Sequence, residues 1–265
     1  MEELAITKAV AAAHKIADAA RRETLTRWRK ELQVDDKSAN GAFDPVTDAD
    51  REAEQAMRSI IARLFPEHGI RGEEFADQSS SSSFEWSVDP IDGTRAFICG
   101  LPNWVTLIAL LEDGDPILGL IDAPCLDERY IGDGASALLI DGDGKQRIRT
   151  SGCESLAQAR FSTTDPYLFT ETERPAIEEI CRSVRTTRFG QDGYAYARLA
   201  AGTIDLVIES GLKRHDYEAL IPVVRGAGGI FGDWSGGEDF KSGRAIAAAT
   251  GKLYEAAVAI TSSAA

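Results

Sequence analysis

The sequence predicts a mixed α/β (α+β) fold, and three observations predict it. Helical periodicity fills most of the first 65 residues, short period-two apolar segments follow, and the second half alternates strand-like with helix-like segments.

Residues 3–31 place Leu4, Val10, Ala13, Ala17, Ala20 and Trp28 at helical spacing between charged positions, which predicts a long amphipathic helix. The turn formers of "QVDDKSANGAFDPV" break it. A second helix starts near Thr47, runs through Ala53, Met57, Ile60, Ile61 and Leu64, and ends before Pro66. The serine run 79–83 reads as a loop too short to link independent domains.

From Phe84 the period changes to two: Phe84, Trp86 and Val88 alternate with Glu85, Ser87 and Asp89, a strand aimed at Asp89. "VTLIALLEDGDPILGLI" reads as a hairpin about "EDGDP", and further strands are expected around Tyr130, Leu138 and Ile148. Beyond these, strands near 159–163, 186–190, 204–209 and 245–249 are separated by helices near 173–184, 192–201, 215–227 and 251–261. The pattern divides near residue 150 into an α+β half, 1–150, and an α/β half, 151–265. "GAGGIFGDWSGG" is not a dinucleotide loop: Phe231 stands where the third glycine belongs, and the segment follows a helix rather than a strand. It reads instead as a helix end, a strand and a turn.

Composition excludes several function classes. A net charge of −14 argues against non-specific binding to nucleic acid or to an acidic membrane, and an anionic substrate would need a bridging cation. No apolar run approaches the ~20 residues of a membrane helix, and no secretory signal is visible, so a cytoplasmic protein is expected. Cys99, Cys125, Cys153 and Cys181 form no CxxC pair, and His14, His68 and His215 lack zinc-site spacing.

The chemistry gathers at "VDPIDGTRAFICG". Pro90 turns the chain rigidly after Asp89, Gly93 allows close backbone approach, and Thr94 opens a helical-looking "TRAF" with free N–H groups. Two carboxylates about 4 Å apart would repel by roughly 4 kcal/mol at an effective dielectric of 20. A hard divalent cation such as Mg²⁺ removes that penalty. Alone, D-P-x-D-G reads as a turn. Glu73 in "RGEE" alone could be solvated, Asp216 in "HDYEAL" could be an N-cap, and Thr47 with Asp50 is spaced like a capping box.

Together, "DPVTDAD" (44–50), "GEE" (72–74), "WSVDPIDGTRAF" (86–97) and "HDYEALIPVVRGAGG" (215–229) resemble, in order and across nearly the whole chain, the inositol monophosphatase family. The resemblance implies a layered αβαβα sandwich and Mg²⁺-dependent hydrolysis of a phosphate monoester. It implies that Glu73, Asp89, Asp92, Asp216 and the Ile91 carbonyl hold two or three Mg²⁺, and that the N–H groups of Gly93 and Thr94 hold phosphate. Thr94 with Asp50 would orient the attacking water, with Glu73 also in the catalytic set. Lys37 and Asp44 fall in the loop that often covers the metal site, with no role assigned. His215 reads as a packing or supporting residue. Arg95 reads equally as a phosphate attractor or an exposed helix position, and Asn103 and Trp104 are expected near the pocket.

Within that resemblance, Glu209 matches the family's acidic substrate contact, and Asp192 stands where inositol phosphatases commonly have a small residue. Two carboxylates beyond the metal ligands suit a substrate with positive charge or several N–H donors. Histidinol phosphate fits, and the motifs resemble the histidinol-phosphatase branch of histidine biosynthesis. Inositol monophosphate, a 3′-phosphoadenosine phosphate and a sugar bisphosphate are the nearest alternatives. A catalytically silent interaction protein is disfavoured by the retained, mutually repelling carboxylates. The resemblance also implies a homodimer.

Overall fold

The computed structural model describes residues 2–31, 33–36, 45–79 and 81–264. Lys37 and Asp44 lie outside the described residues.

The chain opens with α1 (Glu2–Arg27), a small pair β1 (Val34–Asp36) and β2 (Pro45–Thr47), and α2 (Asp48–Leu64). Helix α1 stops four residues before the predicted end, because Arg29 takes a left-handed φ of 58°. Thr47 caps α2 by accepting the Ala49 N–H at 3.1 Å, and the Asp50 carboxylate accepts the Thr47 N–H at 2.8 Å, completing a capping box.

A seven-stranded sheet follows: β3 (Gly69–Gly72), β4 (Phe84–Asp92), then, after α3 (Thr94–Ile98), β5 (Val105–Glu112), β6 (Asp115–Ala123), β7 (Glu128–Gly132), β8 (Ala137–Asp141) and β9 (Gly144–Arg147). Spatial order equals chain order; β3 and β4 are parallel and the remaining pairs antiparallel. The predicted strand at Ile148 is β9, which ends one residue earlier. Strand β5 is buried along all but its last residue because helices cover both faces, so it reads as a continuous apolar run rather than an alternation.

The second half contributes β10 (Arg160–Thr163), α4 (Arg174–Ser183), β11 (Thr186–Phe189), α5 (Asp192–Ala200), β12 (Leu206–Glu209), α6 (Arg214–Tyr217), α7 (Leu220–Gly226), β13 (Ile230–Gly232), β14 (Ala245–Ala248) and α8 (Gly251–Thr261). Its five strands lie in the order β11-β10-β12-β14-β13, parallel at β11-β10-β12 and antiparallel beyond.

Five layers result. Helices α1 and α2 pack on one face of the large sheet around Ile16, Met57, Trp86 and Val88. Helices α5 and α7 lie between the sheets, where Leu107, Ile121, Tyr196, Val207 and Val223 share one core. Helices α4 and α8 close the outer face of the small sheet over Phe161, Ile180, Ile246 and Leu253. The αβαβα sandwich is the expected architecture. Cys99, Cys125, Cys153 and Cys181 are free thiols, and no helix among the described residues is long and apolar enough to cross a membrane.

Candidate active site

The site begins with an irregularity in β4. Pairing with β5 holds to Asp89 opposite Leu107 and resumes at Asp92 opposite Val105, so β4 carries one extra residue between them. Residues three apart in a regular strand face opposite sides; the bulge turns Asp89 and Asp92 to the same side. Asp89 Oδ1 accepts the Ile91 N–H at 3.0 Å, and the Pro90 carbonyl accepts the Thr106 hydroxyl at 2.8 Å, which pins the bulge.

Asp216 approaches from α6, held by the Lys213 N–H on Oδ2 at 2.6 Å, with His215 Nε2 3.4 Å from Oδ1. Asp89, Asp92 and Asp216 each bring one oxygen to a cluster whose members all lie within 4.8 Å of one another. From the other side the first turn of α5 meets Asp92, whose Oδ2 accepts the Gly193 N–H at 2.5 Å. A Cβ at position 193 would sit 2.6 Å from that oxygen, so glycine alone permits the approach. Asp192, one residue earlier, turns the chain with a φ of 44°.

Enclosure in this cleft raises Asp89 well above the usual carboxylate range, and Glu73, Asp92, Asp216 and Asp50 add repulsion. Asp92 is raised by enclosure and then by Asp192 and Asp216, partly opposed by the Gly193 N–H. Burial also raises Asp216, against the lowering influence of His215 and the Lys213 N–H, and pushes Asp50 up to about 7. These groups share one unfavourable field, and their donor atoms are all hard oxygens. That donor set fits a hard divalent cation of the Mg²⁺ type, which would hold the carboxylates ionised.

Glu73, Asp92, Gly93, Thr94, Arg95, Asp192, Glu209 and Asp216 line one cavity of about 220 Å³. Asp89 and Ile91 lie buried behind it in β4, and Asp50 is wholly buried at the start of α2. Glu209 is 5% exposed; it accepts the Thr163 hydroxyl at 3.1 Å and the Thr164 N–H and hydroxyl at 2.6 and 3.0 Å. Burial nevertheless pushes it up to about 8, and pushes Asp192 to about 6 despite Arg95. Arg95 stands at the rim, 44% exposed and 3.6 Å from Asp165.

The Thr94 hydroxyl and the Asp50 carboxylate each bond within their own segment rather than directly to each other. The Thr94 hydroxyl donates to the Ile91 carbonyl at 3.1 Å, while Asp50 Oδ2 accepts the Thr47 hydroxyl at 2.6 Å and Oδ1 is buried without a hydrogen-bond partner. Trp104 is no pocket residue: it is buried against Phe97 and Ile91. Asn103 instead donates to the Gly190 carbonyl at 2.5 Å. Thr164, Ser210 and Lys213 also line the cavity, a role their sequence context did not mark. Thr164 follows β10 directly, 45 residues before its partner Glu209, a distance that no local pattern spans.

The family model described as the inositol monophosphatase family matches residues 5–264. The chain is 43% identical over 238 residues to the bifunctional phosphatase IMPL2, chloroplastic, of Arabidopsis thaliana, covering 89% of this chain and 67% of that protein. To a histidinol-phosphatase of Mycobacterium tuberculosis it is 36% identical over 242 residues, covering 88% and 90%. A solved inositol monophosphatase from Zymomonas mobilis superposes with a TM-score of 0.84 at 39% identity, covering 97% of this chain and 98% of that one.

Proposed function

This chain belongs to the inositol monophosphatase family, whose enzymes are metal-dependent phosphatases that generally use Mg²⁺, and we propose that it hydrolyses histidinol phosphate to histidinol and phosphate, a late step of histidine biosynthesis. One observation carries the substrate. Asp192 and Glu209 reach the cavity that Glu73, Asp92 and Asp216 line, yet stand outside the cluster suited to metal. Carboxyl groups beyond those a metal needs suit a substrate whose organic part carries an ammonium and an imidazole. An ammonium beside Glu209 would favour its carboxylate form. Similarity to the histidinol-phosphatase and to the bifunctional plant phosphatase supports this reading.

Asp89, Asp92 and Asp216 would hold Mg²⁺, joined by Glu73 and the Ile91 carbonyl, with two or three ions per site. When bound, Mg²⁺ supplies Lewis acidity and offsets phosphoryl charge. The chain's own groups do the rest. Gly93 and Thr94 offer backbone N–H groups to the phosphate, and Arg95 at the rim adds positive potential for an arriving dianion. The Thr94 hydroxyl and Asp50 orient the attacking water. Asp50, near 7 and with Oδ1 unpartnered, is suited to take a proton at neutral pH.

Inositol monophosphate is the second reading, favoured by the same Glu209. With its pKa at about 8 it is mostly protonated at neutral pH and offers an O–H to a polyol hydroxyl. Phosphate release with Mg²⁺, with and without EDTA, from histidinol phosphate, inositol monophosphate, 3′-phosphoadenosine phosphate and fructose bisphosphate separates the readings. An EDTA-sensitive preference for histidinol phosphate is expected. Preference for another ester rejects the substrate and keeps the chemistry; no release from any rejects both.

A further inference from the structure

We propose that Glu54 is the positioning residue for Glu73: its buried carboxylate fixes the turn after β3 and thereby aims the Glu73 carboxylate at the metal cluster. The inference rests on the reading of Glu73 as a metal ligand.

Glu54 stands one helical turn beyond Asp50 on the buried face of α2 and is wholly inaccessible to solvent. Beyond its i,i+4 ion pair with Arg58 of the same helix, its carboxylate reaches out of α2. Oε2 accepts the Glu74 N–H at 2.7 Å, and Oε1 accepts the Phe75 N–H at 3.3 Å and Arg58 Nε at 2.7 Å. Arg58 completes the grip by donating to the Phe75 carbonyl at 3.1 Å. On the other side of Glu73, a Cβ at Gly72 would lie 2.1 Å from Glu54 Oε1. The carboxylate fills the space that a side chain at 72 would take. Glu73 is thus flanked on both sides by backbone that Glu54 touches.

A carboxylate is the group this place requires. Three donors converge on two oxygens, and only an ionised acid accepts on both. An amide would turn an NH₂ toward at least one of those donors and lose the ion pair with Arg58. Burying a charge is costly unless it is paired and fully hydrogen-bonded, and here it is.

A purely structural Glu54 and a positioning Glu54 differ in what they do to metal binding. The test is calorimetric titration of Mg²⁺ into wild type, Glu54→Gln and Glu73→Gln, each first shown to be folded by circular dichroism. Groups that orient metal ligands typically change affinity ~10–100-fold when altered, and a weakening of that size is expected for Glu54→Gln. At saturating Mg²⁺ its KM for the phosphate ester should match wild type, since Glu54 lines no part of the cavity. Unchanged Mg²⁺ affinity in folded Glu54→Gln, with or without a lower melting temperature, overturns the proposal. If Glu73→Gln leaves Mg²⁺ binding intact, the ligand reading of Glu73 has failed and the proposal falls with it. If Glu73→Gln weakens binding and Glu54→Gln does not, the positioning role alone is lost. Should Glu54→Gln not fold, Arg58→Lys decides: it keeps the charge but loses the bridge to the Phe75 carbonyl. A several-fold weaker Mg²⁺ affinity supports the proposal, and wild-type affinity rejects it.

Discussion

Asp92 accepts the Gly193 N–H and faces Asp89 and Asp216, so replacing it separates folding from chemistry. Asp92→Asn keeps an acceptor for Gly193 and removes one of the crowded charges. Without metal its melting temperature should equal or exceed that of wild type. With Mg²⁺ it loses a ligand whose metal supplies several kcal/mol of charge stabilisation, so kcat/KM should drop by about 10³-fold. Wild-type turnover would remove Asp92 from the site. Glu209 gives a prediction with a sign. Its folded pKa, about 8, lies above the ordinary 4.5, so its stabilising contribution is complete below about pH 4.5 and is lost as pH rises through about 8. Glu209→Gln should therefore flatten the decline of melting temperature between pH 5 and 8, scanned without metal. An identical slope would mean that Glu209 is ionised from the start. The ordered motifs made Asp89, Asp92 and Asp216 legible. Glu54 was legible in principle: it sits three residues before Met57 and seven before Ile61 on the buried face, and a charge on an apolar stripe asks for a partner. The partners lie twenty residues on, in a turn whose conformation no periodicity announces.

At the scale of elements, two departures from regularity lie beside the site. The β4 bulge turns two aspartates to one side, and only the proline between them hinted at it. The predicted helix 215–227 is instead two, α6 and α7: Pro222 has no N–H to return to the Glu218 carbonyl, so the ladder is interrupted there although Glu218 and Ala219 keep helical dihedrals. Asp216 lies in α6, ahead of that interruption. Strand β3 was missed: "GIRG" is four residues with a glycine at each end, too short to show a period. It matters nonetheless, since Arg71 in β3 pairs with Glu218, just beyond α6, at 3.2 Å and with Glu85 in β4. Glu218 is 2% exposed and also holds Arg214 at 2.7 Å. Arg71→Met should cost about 2 kcal/mol by urea denaturation, the remaining Arg214 limiting the loss. A double-mutant cycle with Glu218→Gln should show coupling above ~0.5 kcal/mol. Simple additivity would mean that β3 and the α6 segment are not joined through this pair.

The whole molecule sets a net charge of −14 around a cleft whose carboxylates already resist ionisation. Periodicity showed which halves are helical, meandering or alternating. It did not show that α5 and α7 would sit between the two sheets, because a helix covered on both sides has no polar face to betray it. That placement brings the α5 N-terminus to Asp92 and buries the cluster deeply enough to raise Asp89, Asp92 and Asp216. Acids raised by folding give stability that is complete below their ordinary range, near pH 4, and lost as pH rises through their folded values. The metal-free protein should therefore weaken as pH climbs toward neutrality, while a cation that fills the cluster should restore what is lost. Because the ligands must be ionised, Mg²⁺ binding should release protons, and its effect should grow with pH. At a concentration near 100 times the dissociation constant, linkage gives about 2.7 kcal/mol. For a chain of this size that is a rise in melting temperature of about 5–10 °C. Differential scanning calorimetry from pH 5.5 to 8, with Mg²⁺ and with EDTA, measures the rise directly. A rise that widens with pH supports a cation site made of these carboxylates. An equal rise at every pH would mean that they are ionised before the metal arrives, and no rise at any pH would remove the metal site itself.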